Sequence, residues 1–263
     1  MKLTIYQVDA FADKLFSGNP AGVIPLKKWI DDPLMQQIAM ENNLAETAFF
    51  VPSKSPRVDY DIRWFTPALE INLCGHATLA SAWILFEIMK AKKKKIVFSS
   101  KSGLLTVTKV KGRLDMDFPS WLPERVSDYP AELIASLGNP EIAGVYSNRE
   151  WLVELMNEEA VRNCQPDFTL MKKTGKMVII TAPGKAVDFV SRFFAPAAGI
   201  DEDPVTGSAH SQLIPFWSGK LGKNKLFAKQ LSKRGGDLYC ELKGDRVIMG
   251  GNCVYYMKGQ INT

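Results

Sequence analysis

Two short motifs in this chain combine a glycine turn with residues that can act on a small molecule. Residues 75–77 read Gly-His-Ala and residues 207–209 read Gly-Ser-Ala, and each motif opens a mainly apolar stretch that predicts a helix. Unpaired backbone N–H groups and the helix dipole make a helix N-terminus attractive to anions. If Gly75 and Gly207 converge on one ligand, they would form a carboxylate cradle or an oxyanion hole. The alternative is that both glycines only permit a tight entry into a helix.

Titratable side chains near these motifs are the candidates for proton transfer. The only two histidines, His76 and His210, both lie in the motif segments, and His76 directly follows Gly75. Glu46 begins an apolar, strand-like run, where partial burial would suit a general acid or base. Asp203 shortly precedes the second motif and stands nearest to the predicted cradle. Glu46 and His76 are therefore the candidates for proton handling.

The cysteines do not indicate a metal or disulfide site. Zinc sites and disulfide frameworks usually contain closely spaced cysteine pairs, and no such pair occurs here. A glycine-rich phosphate loop is also absent from the sequence. We therefore expect reduced thiols and neither a zinc site nor a disulfide framework. The cysteines are Cys74, Cys164, Cys240 and Cys253.

The order of the motifs indicates an internal duplication. Residues 63–68 (Arg-Trp-Phe-Thr-Pro-Ala) resemble residues 192–197 (Arg-Phe-Phe-Ala-Pro-Ala), and the glycine motifs and a later turn recur in the same order. From residue 75 to residue 112 is 37 positions, and from 207 to 244 is also 37. Chance could explain one motif, but three in order at matched spacing favour two copies of one unit.

The copies differ at places that carry candidate chemistry. The second copy contains three additional residues, which the motif spacing puts around residues 200–204, a segment that includes Asp203. Upstream, an offset of 129 residues puts Glu46 opposite Gly175. The carboxylate of Glu46 is therefore expected to have no counterpart in the second copy.

Each copy mixes strand-like runs with a few helical ones, which is typical of an α+β fold with a sheet wrapped on a helix. Period-two alternation predicts a strand at residues 58–65, and a turn predicts a hairpin of residues 104–110 and 113–118. We assign an N-terminal lobe to residues 1–120 and a C-terminal lobe to residues 121–263, with the last strand as a candidate to return to the N-terminal lobe. The cleft between two such lobes would be the active site.

Composition and charge narrow the range of partners. Hydrophobic residues make up 46% and charged residues 23% of the chain, as in ordinary globular proteins. The net charge of +5 is concentrated in a lysine run after a predicted helix, without interleaved aromatic residues, so we expect no nucleic-acid binding. Apolar runs are shorter than the about 20 residues that span a bilayer. With no recognisable signal peptide, we expect a cytoplasmic protein without a membrane partner.

At these residues the sequence resembles the PhzF family of phenazine-biosynthesis isomerases. The similarity extends over nearly the whole chain, and its motifs are specific together although each would be weak alone. They are residues 6–11 (YQVDAF), 18–23 (GNPAGV), 43–47 (NLAET), 65–67 (FTP), 74–78 (CGHAT) and 202–210 (EDPVTGSAH).

The resemblance implies the fold of diaminopimelate epimerase, with two similar lobes that each curl a sheet around a central helix. It also implies a homodimer and an isomerase of the trans-2,3-dihydro-3-hydroxyanthranilate type, which needs no metal or organic cofactor. Glu46 would be the acid/base, and His76 and Asp203 would be site residues. A fold and its motifs do not identify the substrate. The groups that hold a substrate carboxylate would be Gly75, Gly207 and Ser208.

Two other functions stay open. The related epimerases and racemases use two cysteines, one from each lobe; Cys74 stands at the first such place, but Ser208 and Ala209 occupy the second. A racemase or epimerase would therefore have to combine Cys74 with a carboxylate. The third possibility is a non-catalytic protein that binds a small molecule.

Overall fold

A computed structural model describes residues 1–263 and divides them into two compact units. Unit 1 comprises residues 1–118 and 250–263, and unit 2 comprises residues 119–249. The C-terminal strand is therefore part of unit 1. None of the helices combines the length and the hydrophobicity that a membrane crossing requires.

Unit 1 is a mixed sheet around the helix that begins at Gly75. Its elements are β1 (Lys2–Ala10), β2 (Asn19–Pro25), α1 (Asp32–Asn42), β3 (Glu46–Pro52), β4 (Tyr60–Phe65), β5 (Glu70–Ile71), α2 (Gly75–Trp83, continued by a π-helical turn, Ile84–Ile88), β6 (Lys95–Ser100), β7 (Gly103–Val110), β8 (Arg113–Pro119) and the C-terminal β17 (Cys253–Asn262).

Unit 2 has the same plan around the helix that begins at Gly207. Its elements are β9 (Glu124–Arg125), α3 (Ala131–Ala135), β10 (Ile142–Ser147), β11 (Trp151–Leu155), α4 (Glu158–Asn163), α5 (Phe168–Met171), β12 (Val178–Pro183), β13 (Phe189–Phe194), α6 (Gly207–Leu221), β14 (Lys225–Gln230), β15 (Gly236–Lys243) and β16 (Arg246–Gly251).

The central helices are buried because their sequences are apolar or small on every face. Every residue of α2 from Gly75 to Ala82 is buried, and the helix packs on β1, β2 and β3. A helix that is apolar all round has to lie inside the protein. In α6, Pro215 has no N–H for the carbonyl of Ser211, but the backbone N–H of Trp121 bonds that carbonyl at 2.8 Å and so prevents an unsatisfied buried group. The α+β architecture with a central helix is confirmed.

Strand pairing repeats in the two units. In unit 1 the successive pairs β1–β2, β2–β3, β3–β4, β4–β6 and β6–β7 are antiparallel, parallel, antiparallel, parallel and antiparallel. In unit 2 the pairs β10–β11, β11–β12, β12–β13, β13–β14 and β14–β15 follow the same series. The same pairing in the same chain order supports the duplication.

An arginine–glutamate pair precedes the central helix in each unit. Arg63 Nε and Nη2 donate to the two carboxylate oxygens of Glu70, both at 2.8 Å. Arg192 uses the same two atoms to bond Glu202, at 2.6 and 3.0 Å. Each glutamate stands five residues before the glycine that opens the helix. Two parallel charge-assisted bonds fix orientation as well as distance, so the pair holds the chain that enters the helix.

A serine holds the same segment closer to the helix. Ser102 Oγ donates to the carbonyl of Asn72 at 2.8 Å, and Ser232 Oγ donates to the carbonyl of Pro204 at 2.7 Å. Asn72 and Pro204 each lie three residues before the helix glycine. The two units therefore position their helix N-termini with equivalent contacts.

Strand register corrects the alignment of Glu46 with Gly175. Thr47 pairs with Phe65 in unit 1, and Val178 pairs with Phe194 in unit 2. The counterpart of Glu46 is therefore the residue before Val178, which is Met177. The error arises because the segment between β12 and β13 is two residues shorter than that between β3 and β4. Glu46 still lacks an acidic counterpart.

The three additional residues of the second copy also lie elsewhere than expected. The Arg192–Glu202 pair and the bond from Asp203 N–H to the carbonyl of Phe193, at 3.1 Å, repeat the Arg63–Glu70 pair and the ladder contact of Ile71. The insertion therefore ends before Glu202, beside the 3₁₀ turn at Pro196–Ala198. The prediction that the insertion includes Asp203 was therefore wrong. Asp203 belongs to the framework that both units share, where it occupies the position of Ile71 in unit 1.

The third nitrogen of each guanidinium has a different partner. Arg63 Nη1 bonds Asp32, whose side chain is 68% exposed. Arg192 Nη1 donates to the carbonyls of Val161 and Cys164, at 3.3 and 2.6 Å, where α4 ends. Arg192 therefore satisfies buried backbone groups that only a forked side chain can reach together with Glu202.

We expect Arg192→Lys to lower the free energy of unfolding by about 1.5–3 kcal/mol, because buried hydrogen bonds to a charged group are lost. The matched variant Arg63→Lys should cost less, since its Asp32 contact is exposed and such pairs contribute about 0–1 kcal/mol. Urea unfolding followed by circular dichroism measures both. Equal losses in the two variants would contradict this assignment.

Candidate active site

Glu46 and His76 are in contact inside unit 1. Glu46 is the first residue of β3 and pairs with Ala21 of the parallel strand β2, while His76 is the second residue of α2. Their side chains are 10% and 5% exposed, and Glu46 Oε2 lies 3.0 Å from His76 Nε2. The contact lacks the alignment of a hydrogen bond. Both atoms therefore keep hydrogen-bonding capacity for a bound molecule.

The other ring nitrogen of His76 contacts Asn19 and Cys74. Asn19 Nδ2 lies 3.1 Å from His76 Nδ1, and Cys74 Sγ lies 3.6 Å from the same atom. Asn19 is fully buried at the start of β2. With its NH₂ group towards Nδ1, Asn19 selects the tautomer with the proton on Nε2. After an amide flip its oxygen would accept a proton from the imidazolium instead.

The charges in this cluster follow from its burial. Burial raises the pKa of the Cys74 thiol to about 11, and the charge of Glu46 adds to this effect. Burial alone would lower the pKa of His76, but the Cys74 sulfur and the Glu46 carboxylate outweigh it and raise that pKa well above its ordinary value. Because Cys74 is a neutral thiol at neutral pH, Glu46 is the charge that holds the proton on His76. The cluster brings a carboxyl group, an imidazole and a thiol into contact.

Three of these residues could also hold a metal ion. One donor atom each from Glu46, Cys74 and His76 lies within 4.8 Å of the other two. Thiolate, imidazole and carboxylate are the ligand types of zinc sites. Cysteine spacing does not reveal this set, because its members come from a strand, a turn and a helix.

In unit 2, Asp203 lies in a hydrogen-bonded segment before α6. The hydroxyl of Thr206 donates to the carboxylate of Asp203. The buried Gln230 donates from Nε2 to the carbonyl of Asp203 at 2.8 Å and to Thr206 Oγ1 at 3.2 Å. Its Oε1 accepts from the backbone N–H of Thr206 at 2.9 Å. Gln230 therefore fixes both the residue that carries the carboxylate and the residue that starts the helix.

The two helix N-termini keep their anion-binding capacity. The N-cap residues are Cys74 for α2 and Thr206 for α6, and neither caps its helix with its side chain. First-turn N–H groups without a capping side chain can bind an anion. Gly75 and Gly207 are buried and Ser208 is partly exposed.

His210 has a structural explanation. Its Nδ1 contacts the carbonyl of Thr206 at 2.8 Å, and in α2 the hydroxyl of Thr78 bonds the equivalent carbonyl of Cys74. Burial lowers the pKa of His210 to about 4, so the ring is neutral. Of the two histidines that the sequence singled out, only His76 contacts another candidate residue.

Asn19 and Gln230 are the residues that the sequence did not indicate. Asn19 lies in the motif of residues 18–23, where Gly-Asn-Pro by itself indicates only a turn and gives Asn19 no role. Gln230 ends a strand of alternating residues without a motif. A comparison of the two units distinguishes Gln230, because this position of the strand is Gln230 in unit 2 and Ser100 in unit 1. Of the candidates that the sequence indicated, Glu46 and His76 contact each other, and Asp203 lies in the segment that enters α6.

Comparisons with known proteins identify the family of the chain. The family profile described as phenazine biosynthesis-like protein (PhzC-PhzF) matches residues 8–259, and the chain belongs to this family. A Pseudomonas aeruginosa protein named as an uncharacterized isomerase is 50% identical over 262 residues, 99% of each chain.

Solved structures show the same fold. A PhzF-family crystal structure from Enterococcus faecalis has 47% sequence identity, covers 100% of both chains and gives a TM-score of 0.95. A Pseudomonas aeruginosa structure described as a predicted epimerase covers 100% of both chains with a TM-score of 0.75 at 19% identity, which shows likeness of fold alone. The expected family and fold class are therefore confirmed.

The low pKa of His210 predicts a pH-dependent stability. As the pH falls from the ordinary histidine pKa near 6.5 towards about 4, His210 takes up a proton in the unfolded chain but not in the folded one. The contribution of His210 to the free energy of unfolding is therefore fully present above this range and is lost within it. His210→Asn keeps a donor for Thr206 but cannot titrate. Between about pH 7 and pH 5 the wild type should lose about 2 kcal/mol more than the variant. Urea unfolding at both pH values tests this, and parallel losses would refute it.

Proposed function

We propose that this protein isomerises a small carboxylate-bearing metabolite by proton transfer, without metal or organic cofactor, and that Glu46 carries the proton. The observation that supports this most is the 3.0 Å contact of buried Glu46 with His76. No lysine or arginine pairs with Glu46. Its charged neighbour is His76, whose raised pKa favours the protonated ring, and an imidazolium can give up and take back a proton near neutral pH, which a lysine or arginine does not do.

The reaction needs one proton to leave one carbon and return to another. Glu46 removes the proton from a C–H group, and the electron pair of that bond forms a new double bond as the existing one shifts. Glu46 then returns the proton at the far end of the shifted system. The protonated His76 stabilises negative charge that develops between the two steps. Atoms and charge balance without an external oxidant or reductant.

The carboxylate of the substrate is assigned to a helix N-terminus. Backbone N–H groups at Gly75 are next to His76 in the sequence, which would bring a bound carboxylate close to the acid/base. Gly207 and Ser208 offer the same chemistry at α6, and Asp203 is proposed as a further site residue that hydrogen-bonds a polar group of the substrate. The trans-2,3-dihydro-3-hydroxyanthranilate type of substrate is the first to test. The homodimer and the cytoplasmic location stay predictions.

Glu46→Gln should lower solvent-deuterium incorporation into a turned-over carboxylate by about 10²–10⁴-fold, because the amide cannot act as a base. Mass spectrometry of the substrate after incubation in D₂O measures the exchange. Glu41→Gln, on the exposed face of α1, is the matched control and should exchange at the wild-type rate. A folded Glu46→Gln protein with full exchange would refute the role of Glu46.

The racemase alternative depends on Cys74. The structure corrects the second cysteine place: Cys74 and Thr206 are the N-caps of the two central helices, so Thr206, and not Ser208 or Ala209, is its counterpart. A two-thiol mechanism has no second sulfur there, and at a pKa of about 11 the Cys74 thiol is mostly protonated at neutral pH and so a poor base. We expect Cys74→Ala to keep deuterium exchange within about tenfold of the wild type. Loss of exchange in this variant, with the fold intact by circular dichroism, would favour the racemase.

The non-catalytic alternative makes a different prediction for the wild type. A protein that only binds a small molecule should incorporate no deuterium into any carboxylate that it binds. Binding without exchange over a set of carboxylates, including the trans-2,3-dihydro-3-hydroxyanthranilate type, would favour this alternative.

A further inference from the structure

The ring nitrogen Nδ1 of His76 faces two potential metal ligands. Cys74 Sγ is 3.6 Å from it and the amide group of Asn19 is 3.1 Å from it. Tetrahedral zinc with Zn–S near 2.3 Å and Zn–N near 2.0 Å separates its sulfur and nitrogen ligands by about 3.5 Å. The thiol and the imidazole are therefore already spaced as two ligands of one zinc ion would be.

Two oxygen donors complete a set of four. Glu46 offers a carboxylate oxygen within 4.8 Å of both the sulfur and the ring, and its contact with Nε2 is not locked by an aligned hydrogen bond. A rotation of the carboxylate brings it towards the ion. The Asn19 amide presents its oxygen to the same point after a flip, which exchanges two groups of nearly equal size.

The charge and softness of the set favour zinc over the common hard cations. A thiolate and a carboxylate together neutralise a divalent ion, and burial leaves water little chance to compete as a ligand. Sulfur and imidazole ligands select zinc or another thiophilic ion, whereas magnesium and calcium prefer oxygen alone. The other cysteines have different surroundings; Cys164, for example, contacts the carbonyl of Leu137 at 3.8 Å.

We propose that Glu46, Cys74 and His76, with Asn19, form an inhibitory binding site for Zn²⁺. On binding, the Cys74 S–H proton and the proton on His76 Nδ1 pass to solvent as the S–Zn and N–Zn bonds form. The bound ion is coordinated by the carboxylate of Glu46, which then cannot accept the substrate proton. Binding itself is independent of the proposed isomerase activity, and only the inhibition rests on it.

Cobalt provides a direct test, because Co²⁺ replaces zinc and a thiolate–cobalt bond gives a near-ultraviolet charge-transfer band. Titration of the reduced full-length protein with CoCl₂ should produce this band at one equivalent, and Zn²⁺ should remove it by competition. Cys74→Ser should abolish the band, and Glu46→Gln should weaken cobalt affinity by about 10–100-fold. Cys164→Ser is the matched control and should keep the band.

The outcomes separate the metal site from the catalytic proposal. Absence of the band in the wild type, or its persistence in Cys74→Ser, overturns the site whether or not the protein is an isomerase. If the band forms but Zn²⁺ leaves deuterium exchange unchanged, the inhibitory role is overturned. If Zn²⁺ stops exchange and removal of the ion with a chelator restores it, the site and its inhibitory role are both supported.

Discussion

The bidentate bond between an arginine and a glutamate is the interaction on which both units depend. Arg63–Glu70 and Arg192–Glu202 use the same atoms and occur at the same distance from the glycine that opens each central helix. A planar guanidinium and a planar carboxylate joined by two parallel bonds along one edge are held nearly coplanar. The direction in which the chain enters α2 and α6 therefore does not depend on the residues of either helix that carry the chemistry.

Because that framework is shared, the chemistry can differ between the units at little structural cost. Cys74 and His76 in unit 1 stand where unit 2 has Thr206 and Ser208, and Asp203 replaces Ile71. Each replacement keeps the helix entry and changes only what the side chain can donate or accept. Unit 1 carries the carboxylate, imidazole and thiol, whereas unit 2 carries the Asp203 carboxylate, which accepts a hydrogen bond from the Thr206 hydroxyl.

The cluster around His76 can serve proton transfer and metal binding for the same physical reason. Burial removes water and makes the carboxylate, the imidazole and the thiol respond mainly to one another. With a proton on His76 the group is an acid/base pair, and with the protons replaced by a soft cation it is a ligand set. Asn19 can support either state, since its amide offers a donor or an acceptor to the same ring nitrogen.

The sequence by itself determined the duplication, the α+β class, the glycine turns before the central helices and the identity of Glu46, His76 and Asp203 as candidates. These follow from local patterns, since periodicity, glycine turns and motif spacing are written along the chain. It could not determine the register between strands, and so it placed Glu46 opposite Gly175 where the structure has Met177. An alignment of the two copies by one constant offset in residue number does not detect a change in loop length. The pairing of residues between neighbouring strands shows it directly.

Tertiary structure alone decided which side chains meet. Asn19, Glu46, Cys74 and His76 are distributed over two strands, a turn and a helix, and only the packing of α2 on the sheet brings their polar atoms together. Burial lowers the pKa of His210 to about 4, whereas the Cys74 sulfur and the Glu46 carboxylate outweigh burial and raise the pKa of His76. Such differences depend on the partners and the solvent access of each group, which are properties of the folded chain and not of the local sequence.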